Sequence, residues 1–226
     1  MPSMRVAVAF FMALLAAVPV PGRAGPADAA PPLPSAPAPS FFNTVETRSS
    51  DLSAFNKWTG MLERFTKEAA EAQKGGCESK KFTKCHYDDW SAFLRGQLDQ
   101  DRQTQMIEVN RFMNKAKYTE DEPNWGQKDF WSTPGEFFSK YGDCEDYAIA
   151  KFISLLKLGF KPDQLRVVAV QDLNLKIGHA VLVVFLDGKT WLLDNQIPQA
   201  VEAKTVRHYQ PIFSINTQAW WRHRPA

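Results

Sequence analysis

The hydrophobic positions of residues 51–117 follow the period of an α-helix. In the first stretch they recur every three or four residues, and the pattern stops at Gly75-Gly76; its members are Leu52, Phe55, Trp58, Leu62, Phe65 and Ala69. Two shorter stretches, at 90–98 and 106–113, have the same spacing. We therefore predict a helical part over residues 51–117.

Two later helices are predicted from their capping residues. Thr133-Pro134-Gly135-Glu136 has the Ser/Thr-x-x-Glu pattern of a capping box, with proline at the first helical position. The next helix is predicted to begin at Cys144, with Asp143 as its N-cap, and to end at Gly159.

The pattern changes to strand-like runs after residue 164. Three runs are rich in valine, leucine and aromatic residues on both faces, which is typical of interior strands: 165–170, 179–186 and 190–194. Asp187-Gly188 between the last two is a hairpin signal. Residues 212–215 are a candidate fourth strand.

The N-terminus has the pattern of an export signal. A short basic segment precedes an apolar run of 13 residues, Val6 to Val18, which is shorter than the roughly 20 needed to span a bilayer. We predict a signal peptide over 1–29, a Pro/Ala-rich linker over 30–40 and a folded domain over 41–226. The alternative is that the apolar run forms a buried helix.

Charge and cysteine content narrow the classes of function. The chain has 27 Lys+Arg against 25 Asp+Glu, a net charge of +2, which argues against a nucleic-acid binder. Two of the three cysteines, Cys77 and Cys85, lie between the first two predicted helices. In an exported protein this favours a disulfide, with two free thiols as the alternative. Cys144 is left without a partner.

Cys144 has a predicted base and orienter in the hairpin. A helix N-terminus favours a thiolate. If Asp187 and Gly188 form a two-residue turn, His179 and Asp194 lie diagonally on one face of the hairpin, within side-chain reach. This predicts a Cys-His-Asp triad. Each of the three residues alone is more typical of a structural role.

An acidic turn surrounds the predicted nucleophile. Asp143, Glu145 and Asp146 oppose a nearby thiolate unless a cation neutralises them. Clustered carboxylates suit calcium, and Asp172 and Asn174 are further candidate ligands. The alternative is plain N-capping by Asp143, with Glu145 and Asp146 solvated.

Several segments resemble the bacterial transglutaminase-like cysteine proteinases, the LapG family. The nucleophile segment Gly142–Lys151 (GDCEDYAIAK) carries the resemblance most specifically. It extends to 129–136, 165–168, 178–182, 193–195 and 211–216. The resemblance implies an α+β fold with a papain-like, transglutaminase-like core, in which the helix bearing the cysteine packs on an antiparallel sheet. The helical part 51–117 then forms an N-terminal subdomain, and 118–226 forms the catalytic core.

The resemblance also implies a function. Members are periplasmic, calcium-dependent endopeptidases that release a large cell-surface adhesin at a di-alanine site, which disperses biofilm. An inner-membrane cyclic-di-GMP receptor sequesters them. By position, Cys144 is nucleophile, His179 base and Asp194 orienter, and Asp143, Glu145 and Asp146 match the family's calcium-binding turn. No organic cofactor, nucleic-acid partner or embedding in the membrane is implied.

Two other functions fit the same residues. A true transglutaminase would use the same triad to transfer an amine to glutamine, and a calcium-dependent binding protein would keep the residues without activity. For hydrolysis, the backbone N–H of Cys144 is one predicted oxyanion donor, and Gln127 and Trp131 are candidates for the second.

Overall fold

The computed structural model describes residues 41–72 and 82–226, with residues 72 and 82–86 described by their backbone alone. The predicted signal peptide (1–29) and linker (30–40), and Cys77, lie outside the described residues. So does the side chain of Cys85, and the disulfide therefore stays a prediction. Within the described ranges, no helix is both long and apolar enough to cross a membrane.

Five of the six helices in the described residues follow the predicted order, and the short α4 is additional. Their bounds are α1 Asn56–Ala72, α2 Phe82–Gln97, α3 Arg102–Met113, α4 Asp121–Trp125, α5 Pro134–Lys140 and α6 Cys144–Lys157. The predicted capping box at Thr133 and Glu136 is present at the start of α5. One placement was wrong. Cys85 lies in the first turn of α2 rather than in the preceding loop, because α2 begins before its apolar pattern does.

The C-terminus of α6 is closed by a Schellman motif around Gly159. The N–H groups of Gly159 and Phe160 donate to the carbonyls of Leu156 and Leu155, at 2.9 and 3.0 Å. Gly159 has a φ of 88°, a conformation that glycine adopts without steric cost. The predicted end of the helix is therefore confirmed.

The strands of the described residues form one antiparallel sheet. Their bounds are β1 Thr44–Ser49, β2 Leu165–Asp172, β3 Ile177–Leu186, β4 Lys189–Leu193, β5 Val201–Glu202, β6 Tyr209–Ile215 and β7 Trp220–Pro225. The order across the sheet is β1-β7-β6-β2-β3-β4-β5. The four predicted strands are present, and β1, β5 and β7 are additional.

Helix α6 lies at the centre of the main core. It packs against β2 and β3, and also against α3 and α5. The fully buried Trp58 of α1 and Trp90 of α2 belong to the same core as Phe152 of α6. The helical part of residues 51–117 thus shares one core with the part that contains α6 and the sheet. Alternate side chains of β3, such as Val181 and Val183, belong to a second apolar cluster on the other face of the sheet.

The β3–β4 hairpin has the predicted register. Asp187 and Gly188 both have positive φ, 52° and 71°, as a type I′ turn requires. Leu186 pairs with Lys189, and the pairing continues to Leu182 with Leu193. The pairing ends there, and its register decides how the side chains just past it, those of His179 and Asp194, lie relative to each other.

Candidate active site

Cys144 is the first residue of α6 and is half-buried. The backbone N–H of Ala180 on β3 faces its sulfur and acts to lower the pKa of the thiol. The N-terminus of α6 therefore meets β3 at Ala180, the residue that follows His179. The predicted nucleophile is thus next to the strand that carries the predicted base.

His179 and Asp194 meet as the hairpin register predicts. His179 Nε2 lies 2.9 Å from Asp194 Oδ1, and both side chains are buried. Since an ionised carboxylate can only accept, Nε2 carries the hydrogen and Nδ1 is free to accept a proton. This is the geometry of a base held by an orienter.

Three further groups hold Asp194 in place. Tyr209 donates its hydroxyl to Asp194 Oδ2 at 2.7 Å, and the Gln196 N–H donates to Oδ1 at 2.9 Å. Asn114 of α3 donates to the Asp194 backbone carbonyl at 2.7 Å. Burial alone would raise the pKa of this carboxyl. The hydrogen bonds from His179, Gln196 and Tyr209 outweigh burial and hold the pKa below its usual value.

Tyr209 is predicted to act as a positioning residue. Replacing it (Tyr209→Phe) leaves Asp194 Oδ2 without its buried donor, so we expect kcat/KM to fall about tenfold. The matched control is Tyr141→Phe, since Tyr141 is exposed. Peptide hydrolysis and thermal unfolding measure the two effects separately. A loss of stability without any change in kcat/KM would contradict the positioning role.

The Cys144 thiol faces an unfavourable electrostatic environment. Burial raises its pKa, and the charge of Glu145 and its hydrogen bond with the thiol raise it further. The Cys144 sulfur lies 3.2 Å from Glu145 Oε2 and donates its hydrogen to that oxygen. Burial and the neighbouring Glu145 carboxylate therefore both oppose ionisation of the thiol.

The acidic turn is part of a larger carboxylate cluster. Carboxylate oxygens of Asp121, Asp143 and Asp146 lie within 4.8 Å of one another, and so do those of Asp121, Asp129 and Glu145. Burial, followed by the charge of Glu145, raises the pKa of Asp143 to about 9. Burial raises the pKa values of Asp121, Glu145 and Asp146 as well. Ionising all of these groups together is therefore unfavourable, and a bound cation would offset that cost.

Two atoms in this cluster have no hydrogen-bond partner. Asp121 Oδ1 and Asp143 Oδ1 are buried and unpaired within the part of the chain that the structure describes. A buried carboxylate oxygen without a donor is costly, and oxygen atoms at this spacing suit a hard cation. The cluster therefore has the chemistry of a divalent-cation site.

Two predicted ligands do not belong to this cluster. Asp172 Oδ1 accepts the N–H groups of Asn174 and Leu175, at 2.8 and 3.0 Å, which closes the turn between β2 and β3. Asp172 is not among the carboxylates that the structure groups around Asp121, and the prediction that Asp172 and Asn174 bind calcium stays a prediction. Asp143 also differs from expectation, because its side chain makes no capping bond to α6.

Of the two candidates for the second oxyanion donor, Trp131 already uses its side-chain donor. Its indole N–H donates to Asp129 Oδ1 at 2.8 Å. Gln127 is exposed on the neighbouring loop.

Sequence reasoning missed three residues of the site. Asp121 begins α4, Asp129 lies in the loop that follows, and Tyr209 begins β6. The acidic pair Asp121-Glu122, close before Asp129, is a local signal that could have drawn attention to this loop. Tyr209 has no such signal.

A comparison with protein families matches residues 71–223 to the bacterial transglutaminase-like cysteine proteinases (BTLCP). The chain belongs to this family. The family predicted from the nucleophile segment is thus confirmed, and membership supports a cysteine peptidase acting on a protein substrate. A comparison with curated proteins gives no significant match.

Solved structures of Legionella pneumophila LapG are similar to this family member. A calcium-bound form is 27% identical, with a TM-score of 0.59, and the match covers 70% of this chain and 87% of LapG. An EGTA-treated form is 26% identical, with a TM-score of 0.59, and the match covers 71% of this chain and 86% of LapG. The likeness confirms the predicted α+β, transglutaminase-like fold.

Proposed function

We propose that this protein is a periplasmic, calcium-dependent cysteine endopeptidase with the triad Cys144, His179 and Asp194. The observation that carries the proposal is the buried bond between His179 Nε2 and Asp194 Oδ1, next to the residue whose N–H reaches the Cys144 sulfur. Family membership supports the peptidase class. Export rests on the N-terminal segment 1–29.

The proposed reaction is acyl transfer to water. His179 Nδ1 takes the thiol proton, and the Cys144 thiolate attacks the peptide carbonyl, while the Cys144 backbone N–H stabilises the oxyanion. The His179 imidazolium gives its proton to the leaving amine, so the C–N bond breaks and a thioester remains. His179 then takes a proton from water, hydroxide displaces the sulfur, and the imidazolium returns the proton to the thiolate.

Calcium fits the carboxylate cluster. Asp121, Asp129, Asp143, Glu145 and Asp146 would hold it, because their oxygens are close and two of these oxygens are buried without partners. The solved LapG structures include a calcium-bound form, which supports the same ion here. When bound, the ion supplies positive charge that neutralises the carboxylates around Cys144. Glu145 then opposes thiolate formation less strongly.

Removing calcium is predicted to lower kcat/KM about 100-fold, because the thiol is then surrounded by carboxylates alone. Peptide hydrolysis is measured with EGTA, then after adding back calcium or magnesium. Asp121→Asn removes one ligand charge and is expected to raise the calcium concentration required for half-maximal activity, whereas Asp99→Asn, on an exposed turn, should not. Full activity in EGTA would remove calcium from the proposal.

The proposed substrate is a large cell-surface adhesin cut at a di-alanine site, with control by an inner-membrane cyclic-di-GMP receptor. This part rests on the family resemblance, and adhesin release would disperse biofilm. The test incubates the purified protein with the host's secreted adhesins, with and without calcium, and compares wild type with Cys144→Ala. Calcium-dependent release by wild type alone is expected. No cleavage of any adhesin would overturn the substrate assignment.

Two alternative functions give different outcomes. The triad also supports amine transfer, since only the acceptor differs, and a primary amine with a glutamine peptide would then give cross-linked product. The raised pKa of the Cys144 thiol favours the second alternative, an inactive calcium-dependent binding protein, because a thiol that does not ionise is a poor nucleophile. In that case Cys144 would react with iodoacetamide no faster than a free thiol, even with calcium present.

A further inference from the structure

The backbone of β3 has an unpaired edge next to Cys144. In the hairpin, Leu186 and Lys189 close the two-residue turn as a hydrogen-bonded pair. Because antiparallel pairs alternate, Val184 and Leu182 also direct their N–H and C=O groups towards β4. The β4 strand ends at Leu193, opposite Leu182, so the residues of β3 that precede Leu182 have no β4 partner.

Ala180 and Gly178 continue the same alternation. The Ala180 N–H points outwards from this edge, as the alternation requires, and faces the Cys144 sulfur. Two residues further, the N–H and C=O of Gly178 point the same way. Among residues 41–72 and 82–226, no group bonds to the Gly178 backbone at this edge. Gly178 and its neighbour Ile177 are both exposed.

The fold itself does not require a glycine at 178. The residue lies in a strand, and it is not among the glycines with positive φ. A Cβ placed on it would meet no atom within 4 Å. A strand glycine with neither a conformational nor a packing need is typical of a place where another backbone approaches closely.

We propose that the substrate polypeptide binds as an extended strand along this edge, exchanging two backbone hydrogen bonds with Gly178. The inference rests on the proposed function, in which Cys144 attacks a peptide carbonyl. A backbone donor and acceptor side by side complement another main chain, which is how β-augmentation binds peptides. Since Gly178 lies two residues from Ala180, about 7 Å along the strand, the paired residue is within about two residues of the scissile bond.

The apolar border of this edge indicates the side chains that it accepts. Ile177, which precedes Gly178 on β3, is 51% exposed. Substrate side chains on the face of Ile177 would contact it as cross-strand neighbours do. We therefore expect apolar or small residues there, and not charged ones.

The test measures binding and needs no turnover. The full chain carrying Cys144→Ala is titrated into a fluorescein-labelled ten-residue peptide centred on Ala-Ala. Gly178→Pro removes only the N–H at the open edge, because the β2 pairing does not use it. We expect its Kd to be about tenfold weaker. Gly178→Ala keeps the N–H and should bind more tightly than Gly178→Pro.

Arg48→Pro is the matched control for the proline. Arg48 lies on β1, an outer strand of the sheet, and is exposed. Ala226 donates to the Asn43 carbonyl, so the alternation turns the Arg48 N–H away from β7. This variant therefore loses an edge N–H far from Cys144, and its peptide affinity should equal that of the Cys144→Ala parent.

Peptides methylated at single amide nitrogens provide a second arm that does not depend on the Gly178→Pro variant folding. Pairing with Gly178 predicts that methylation of one amide near Ala-Ala weakens binding, while methylation of its neighbours does not. Equal affinity of the Gly178→Pro and Gly178→Ala proteins, equal effects of methylation at every amide, or no saturable binding overturns the proposal. If wild type binds but does not cleave, the proposed function fails and the edge-pairing proposal stands.

Discussion

Cys144→Ala is expected to abolish peptide hydrolysis, with kcat/KM lower by about 10⁴-fold or more. The sulfur is the atom that forms the proposed acyl-enzyme, and Cys144 is the free cysteine among the side chains that the structure describes. The fold should persist, because Cys144 is only half-buried and its sulfur bonds to nearby groups of the site rather than to the core. Hydrolysis of an Ala-Ala peptide and circular dichroism measure the two outcomes.

Cys144→Ser separates the position of the nucleophile from its chemistry. The hydroxyl has a similar size but ionises far less readily than a thiol, so this variant should also be inactive while folding normally. Mass spectrometry after treatment with iodoacetamide should locate the label on Cys144 in the calcium-loaded wild type. Substantial hydrolysis by Cys144→Ala would overturn the assignment of the nucleophile.

Asp194→Ala is predicted to lower kcat/KM by about 10³-fold. The change removes the acceptor that fixes His179 Nε2, so the ring is no longer held in the tautomer that leaves Nδ1 free. It also leaves the Tyr209 hydroxyl and the Gln196 N–H without their acceptor, since both donate to the same carboxylate. Thermal unfolding should therefore show a loss of stability of about 1–3 kcal/mol.

Asp194→Asn is the informative companion variant. Its amide oxygen can still accept from His179 Nε2, so the ring keeps its orientation, but the negative charge that stabilises an imidazolium is gone. Activity should lie between that of wild type and that of Asp194→Ala. Asp163→Ala, an exposed aspartate after α6, is the matched control and should be fully active. Equal activity of wild type and Asp194→Ala would show that Asp194 is not the orienter.

Local signals in the sequence were enough to predict the pairing of His179 with Asp194 and the bounds of the neighbouring helices. The Asp187-Gly188 turn fixes the register, and the register alone places His179 beside Asp194. The capping box at Thr133 and the glycine at 159 similarly fix where α5 begins and α6 ends. In each case the deciding residues are close together in the chain, so a short pattern contains the information.

The parts that the sequence did not reveal depend on distant contacts. Tyr209 reaches Asp194 only because β6 pairs with β2, and this pairing has no local sequence pattern. Asp121 joins Asp143 and Asp146 through the folding of the α4 loop, and α4 is too short to show a period. Strands β1 and β7 carry charged residues and are recognisable only once they are paired.

The pairing of β1 with β7 links folding to the order of synthesis. Thr44 hydrogen-bonds to His223 across 179 residues, and Glu46 bonds to Arg166 across 120. Such contacts close large loops, which is typical of slow folding. The first strand of the domain can be paired only after the last one has been made. A nascent chain in which β7 has not yet been made therefore leaves Thr44–Ser49 unpaired, and this side of the sheet stays incomplete until β7 is available.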